Sequence, residues 1–104
     1  MKNIAIVEDN DNFAGIIIDY INQYMKENNE ELNIIRFNNA DDFLKDYQQI
    51  YSVILMDIQM PGIDGMNASF EIRKIDKTVS IIFESILSIA TPCIYMLSSI
   101  KKKG

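Results

Sequence analysis

Three short runs, Ile4-Ala5-Ile6-Val7, Ser52-Val53-Ile54-Leu55-Met56 and Val79-Ser80-Ile81-Ile82-Phe83, are apolar and β-branched with little polar alternation. A strand with one wet face alternates apolar and polar side chains, so a run like Ile4-Ala5-Ile6-Val7 belongs to a strand covered on both faces. The stretches between them carry helical rhythm instead. Phe13, Ile16, Ile17, Tyr20, Ile21 and Tyr24 recur at i, i+3, i+4 and i+7, and the cluster Glu8-Asp9-Asn10-Asp11-Asn12 ahead of them is rich in capping residues. A second helix, capped by Asn38 or Asn39, turns Ala40, Phe43, Leu44 and Tyr47 inward. Pro61-Gly62 marks a turn, and a third helix opens at Gly65 with Met66, Ser69, Ile72 and Ile75 inward. Leu32-Asn33-Ile34-Ile35-Arg36-Phe37 is a more mixed strand, suited to a sheet edge. The order βαβαβαβ predicts a doubly wound parallel α/β sheet with right-handed crossovers and helices on both faces.

Beyond Phe83 the pattern weakens. Residues 84–91 fit two turns of helix that Pro92 would end, and residues 93–97 fit a fifth strand. Both elements are expected to be altered or missing. The chain of 104 residues is the length of one domain, and 48% hydrophobic with 24% charged residues is a globular mix rather than a disordered one. Ten Lys and Arg against 15 Asp and Glu give a net charge of −5, which disfavours nucleic-acid binding by this domain and favours a cation or a basic partner. The charge is uneven: residues 1–83 hold 14 acids and 7 bases, residues 84–104 one acid and three bases. A single Cys93 and no His exclude an internal disulfide and the usual zinc and histidine-based catalytic sites. No apolar run approaches the roughly 18 residues of a membrane span, and nothing at the start reads as a signal peptide. The expected location is the cytoplasm.

In an open α/β sheet, ligands bind beyond the carboxyl ends of the strands where the strand order switches. Glu8 and Asp9 follow the first strand and Asp57 ends the third, so neighbouring strands would bring three carboxylates into one crevice. Like charges at close quarters raise one another's pKa unless a cation neutralises them, and an all-oxygen set suits Mg2+. The competing reading makes these acids solvated loop residues or helix caps. A calcium loop starting at Asp9 fails, because Phe13, Ala14 and Tyr20 stand where it needs an oxygen ligand, Gly and Glu. A phosphohydrolase with an aspartate nucleophile fails at Gln59, where a second acid is needed.

Those residues carry a resemblance. I-V-E-D-N at 6–10 and V-I-L-M-D-I-Q-M-P-G-I-D-G at 53–65 resemble the receiver domain of two-component response regulators, of the variety attached to LytTR DNA-binding domains. The resemblance covers about residues 2–83 in register and implies the flavodoxin-like receiver fold, strand order 2-1-3-4-5. It implies that Asp57 accepts a phosphoryl group from a sensor histidine kinase. Asp9 and Asp57 would bind Mg2+ directly, Glu8 through water, and Gln59 by its main-chain carbonyl. Pro61 and Gly65 match the family's loop. Ser85 stands where the subfamily carries the hydroxyl that senses the phosphoryl group, although a helix cap explains a Ser there too. A LytTR-like output domain in the full-length protein would make the response transcriptional.

The pattern is incomplete. Receivers carry a Lys-Pro pair after the fifth strand and an aromatic switch three residues before the Lys; this sequence has no Lys-Pro, and counting back from Lys101 reaches Ser98. Residues 84–104 are therefore expected to be an atypical segment of a single 1–104 receiver domain, and the alternatives for that segment are a native ending, a truncation or a change of reading frame. The alternative function is a switching-impaired protein-interaction module. An exposed sheet edge would favour a homodimer. Phe70 lies off the inward stripe of its helix, as a partner contact or a lone exposed aromatic.

Overall fold

The structure, a computed structural model, describes residues 1–58, 60 and 62–84. Four strands and three helices alternate: β1 (Lys2–Val7), α1 (Asp11–Asn28), β2 (Leu32–Phe37), α2 (Ala40–Lys45), β3 (Tyr51–Asp57), α3 (Gly65–Ile75) and β4 (Ser80–Glu84). The sheet is parallel in the order β2-β1-β3-β4. The doubly wound α/β architecture is therefore as expected, with β2 at one edge of the described sheet. Glu84, expected to open a helix, instead continues β4 opposite Asp57, and residues 85–91 of that expected helix lie outside the described residues. The fifth strand at 93–97 lies outside the described residues.

Alternate residues of the two central strands feed two cores. Ile4, Ile6, Val53 and Leu55 face α1, packing on Phe13, Ile17, Ile21 and Tyr24. Ala5, Val7, Ile54 and Met56 face α2 and α3, packing on Ala40, Phe43, Ala68 and Ile72. Each fully buried Ile, Leu or Met contributes about 1.5–3 kcal/mol. A helix cap contributes about 1 kcal/mol, so the caps refine where helices begin and the central strands hold the fold together.

The caps are well formed. Asn10 Oδ1 accepts from Phe13 N at 2.9 Å, Asn39 Oδ1 from Asp42 N at 2.8 Å and Asp64 Oδ1 from Asn67 N at 2.8 Å. Asn29 closes α1 in the left-handed conformation at φ 49°, which Asn tolerates better than most residues.

Two inward stripes differ from expectation. In α1 the buried set is Phe13, Ala14, Ile17, Ile21 and Tyr24, while Ile16 and Tyr20 are exposed on its flank. In α3 the seam runs through Gly65, Ala68, Ser69 and Ile72, leaving Met66 and Ile75 exposed. Met66, Ser69, Ile72 and Ile75 repeat every three residues and drift around a helix of 3.6 residues per turn; Gly65, Ala68, Ser69 and Ile72 follow i, i+3, i+4 and i+7. Small residues also let α3 approach β3 closely. Phe70 is exposed, as its off-stripe position predicts.

At the opposite end of the sheet from the strand-end acids, Asp76 is buried in the turn between α3 and β4. Its carboxylate accepts from Tyr47 Oη at 2.8 Å, from Thr78 N at 3.1 Å and from Val79 N at 3.2 Å. Burial pushes this carboxyl up, but these donors outweigh it and hold its pKa below the ordinary value.

Candidate metal and phosphoryl site

β1 and β3 are adjacent, with Val7 paired to Met56. The residues immediately beyond that pair are Glu8 and Asp57, so parallel register itself brings the two acids to one end of the sheet. Oxygen atoms of Glu8, Asp9 and Asp57 lie within 4.8 Å of one another. This is the one such cluster among the described residues. Glu8 is 3% exposed, Asp57 half-buried and Asp9 exposed, so the crevice is closed at its base and open at its mouth.

Glu8 is held in place. Its N–H donates to Phe37 O at 3.0 Å, and its Oε2 accepts from Asn10 N at 3.0 Å. Burial pushes the Glu8 carboxyl from the ordinary 4.5 up to about 8; the Asp57 charge and hydrogen bonds with Asp9 and Asp57 add to the rise, and the Asn10 N–H opposes it. A buried acid among acids holds a proton until a cation replaces it. All donors in the set are hard oxygens, which fits Mg2+ better than a soft metal.

The loop after Asp57 is shaped by two glycines. Gly62 has φ +82°, in the region that disfavours side chains, and Gly65 N donates to Ile58 O at 3.1 Å. A Cβ on Gly65 would fall inside the Asp57 carbonyl oxygen, a backbone atom that cannot move aside without moving the acid. Gly65→Ala is therefore expected to cost more than the usual 1–3 kcal/mol or so of overpacking. Urea unfolding checks this, and a loss below about 1 kcal/mol would show that α3 can back away from β3. Gln59, Pro61 and Ser85 lie outside the described residues. Arg36, which sequence reasoning passed over, reaches this site from β2; as the one cation in a mixed edge strand it was visible but unassigned.

The chain is thus a doubly wound parallel α/β domain with an acidic crevice at the carboxyl ends of β1 and β3, the place where such sheets bind ligands. The chain belongs to the response regulator receiver domain family, whose profile matches residues 4–94. No curated protein sequence matches it. Among solved structures it is similar to the BeF3-activated DrrB receiver domain, with 17% identity, TM-score 0.72 and coverage of 99% of this chain and 97% of that one. It is likewise similar to the N-terminal domain of a response regulator/sensory box/GGDEF protein from Carboxydothermus hydrogenoformans, at 17% identity, TM-score 0.70, and 98% and 93% coverage. A chain in the crystal structure of histidine kinase ThkA in complex with response regulator protein TrrA matches at 25% identity, TM-score 0.64, and 99% and 98% coverage. The chain is thus a receiver domain of a signalling protein and not a member of a conventional enzyme family. No helix among the described residues is long and apolar enough to cross a membrane.

Proposed function

We propose that the chain is the phosphoacceptor domain of a two-component system: Asp57 takes a phosphoryl group from a sensor histidine kinase, with Mg2+ held by Glu8, Asp9, Asp57 and the Gln59 main-chain carbonyl. The convergence of the three carboxylates within 4.8 Å carries this reading. A Glu8 that keeps its proton in the absence of a cation supports it. The likeness to a structure containing a histidine kinase and a response regulator supports the kinase partner. An Asp57 oxygen bonds to phosphorus as the P–N bond of phosphohistidine breaks and the imidazole nitrogen keeps the electron pair. Bound Mg2+ supplies charge neutralisation on the transferring oxygens. Glu8 and Asp9 would hold that cation beside Asp57, where the phosphoryl oxygens arrive. The same machinery would return Asp57 to its free state by hydrolysis, so the domain catalyses its own switching and no other reaction.

Ser85 is the proposed phosphoryl-sensing hydroxyl; it follows Glu84, which pairs with Asp57 across the β3–β4 ladder. The domain is taken as residues 1–104 with its typical core at 1–83, acting in the cytoplasm. Its output is proposed to be transcription through a LytTR-like DNA-binding domain of the full-length protein. The test is phosphoryl uptake from acetyl phosphate with Mg2+, read as mass on Asp57. Because the sequence contains no Lys-Pro pair, absence of uptake would hand the fold to the interaction-module reading.

The Glu8 titration has a sign that can be measured. Its folded pKa of about 8 lies above the ordinary 4.5, so the folded state binds the extra proton in that window. In EDTA the stability from this group is fully present below about 4.5 and is lost as pH rises through about 8. The melting temperature in EDTA is expected to fall between about pH 6 and pH 9, and Mg2+ to raise it most at the upper end. At about 100 times its Kd a bound ion contributes about 2.7 kcal/mol, roughly 10 °C or more for a domain of this size. An Mg2+ increment independent of pH would show that Glu8 does not give up a proton to the metal.

A further inference from the structure

Arg36 stands opposite Ile6 in the β1–β2 ladder, one residue short of the end of the edge strand. Its side chain is 23% exposed, well covered for an arginine at a sheet edge. Three of its donors are used. Nε and Nη2 both donate to the Glu8 carbonyl oxygen, at 3.1 and 2.7 Å, and Nη1 donates to Asp11 Oδ1 at 2.7 Å. The Glu8 N–H meanwhile donates to Phe37 O, so both backbone groups of Glu8 are tied to β2, one to backbone and one to the guanidinium. Asp9 lies between the two anchored residues, Glu8 and Asp11. It is exposed and lies in the turn between β1 and α1, outside both elements.

We infer that Arg36 is a positioning residue for the acid crevice: it spans Asp9, pinning the backbone before it and the carboxylate after it, and so sets where Glu8 and Asp9 present their oxygens. This rests on the reading of Glu8, Asp9 and Asp57 as a cation site. The bond to Asp11 is exposed at the acid's end, 87% by side chain, and ion pairs of that kind contribute little by themselves. The fork on the Glu8 carbonyl is the part that holds the loop, because a charged, planar donor meets a carbonyl that the strand ladder no longer serves. Lysine cannot replace it, since a single ammonium cannot reach both the Glu8 carbonyl and the Asp11 carboxylate in the same geometry.

The test compares Arg36→Met, which keeps the aliphatic stem, Arg36→Lys, which keeps the charge, and Asp57→Asn. Binding of MgCl2 is measured by titration calorimetry, and melting in EDTA and in Mg2+ by circular dichroism. Loss of partners that orient ligands typically weakens metal affinity 10–100-fold. Arg36→Met is expected to raise the Mg2+ Kd at least about tenfold and to shrink the Mg2+-dependent rise in melting temperature, and Arg36→Lys to fall close to it. A variant that melts lower in both conditions by the same amount, with an unchanged Kd, makes Arg36 structural and overturns the inference. Should Asp57→Asn weaken Mg2+ while Arg36→Met does not, the inference alone fails. If Asp57→Asn binds Mg2+ like the wild type, or the wild type binds none, the cation-site reading fails and takes the inference with it.

Discussion

Incubated with acetyl phosphate and Mg2+, the wild-type chain is expected to gain the mass of one phosphoryl group and the Asp57→Asn chain to gain none. The amide of asparagine has the shape of the carboxylate but no anionic oxygen to attack phosphorus, so the loss is complete rather than partial. The surroundings of residue 57 should survive the change. Asp57 is half-buried beside a nearly fully buried Glu8, and removing one of two adjacent negative charges relieves repulsion. Asp57→Asn is therefore expected to be at least as stable as the wild type in EDTA, with Glu8 shifted back toward its ordinary range. Intact-mass spectrometry reads the first outcome and urea unfolding the second. A phosphoryl gain that persists in Asp57→Asn would place the acceptor on another residue. Equal absence from both chains would favour a receiver fold that serves binding rather than switching.

The second large effect lies at the other end of the sheet. Asp76→Ala is expected to destabilise the domain by about 3–5 kcal/mol, a large share of the 5–15 kcal/mol or so that holds a typical domain folded. The Asp76 carboxylate serves the Tyr47 hydroxyl and the Thr78 and Val79 N–H groups. Truncation strands those donors in a place water does not reach well, at about 1–3 kcal/mol for each one left unpaired. Asp76→Asn keeps an acceptor for the two N–H groups and should cost less. Tyr47→Phe, removing one donor and leaving those of Thr78 and Val79 satisfied, should cost about 1 kcal/mol. The pH dependence runs opposite to that of Glu8. The Asp76 pKa is lowered from the ordinary 3.8, so its contribution is present above that value and is lost as pH falls through the folded value. The gap between wild type and Asp76→Ala should be flat from about pH 5 to pH 8 and shrink in acid. A gap that widened in acid would mean that the neutral acid, not the carboxylate, makes these bonds.

The two acids show where sequence reading succeeds and stops. Glu8 was visible as half of a pair of acids after an apolar strand, and parallel register needs only the strand order to set it beside Asp57. Asp76 looks in sequence like a solvated acid between Ile75 and Lys77. Its role depends on Tyr47, 29 residues earlier, turning a hydroxyl toward it. Arg36 is similar: one cation in a mixed edge strand, given a task by a carbonyl 28 residues away. The helices divide the same way. Their existence was legible, and so were the capping cluster that holds Asn10 and the cap at Asn38 or Asn39, because capping is a contact within four residues; Asp64, which caps α3, went unnamed. Their rotation was not. Met66 and Ile75 are as apolar as the residues that replace them in the seam, and what excludes them is the closeness of β3 beneath Gly65 and Ala68.

The sequence by itself determined the alternation of strands and helices, the placing of Glu8, Asp9 and Asp57 at the ends of the first and third strands, and the receiver motif around Asp57. These are local properties, since side-chain period, capping and a short loop's residue types act over a few positions. Only the tertiary structure decided which stripe of α3 meets the sheet, that Glu8 is buried deeply enough to keep a proton near neutral pH, and that Arg36 and Asp76 each fasten a loop. Burial and shared hydrogen bonds are set by groups far apart along the chain, and their energies exist only when folding has placed those groups together.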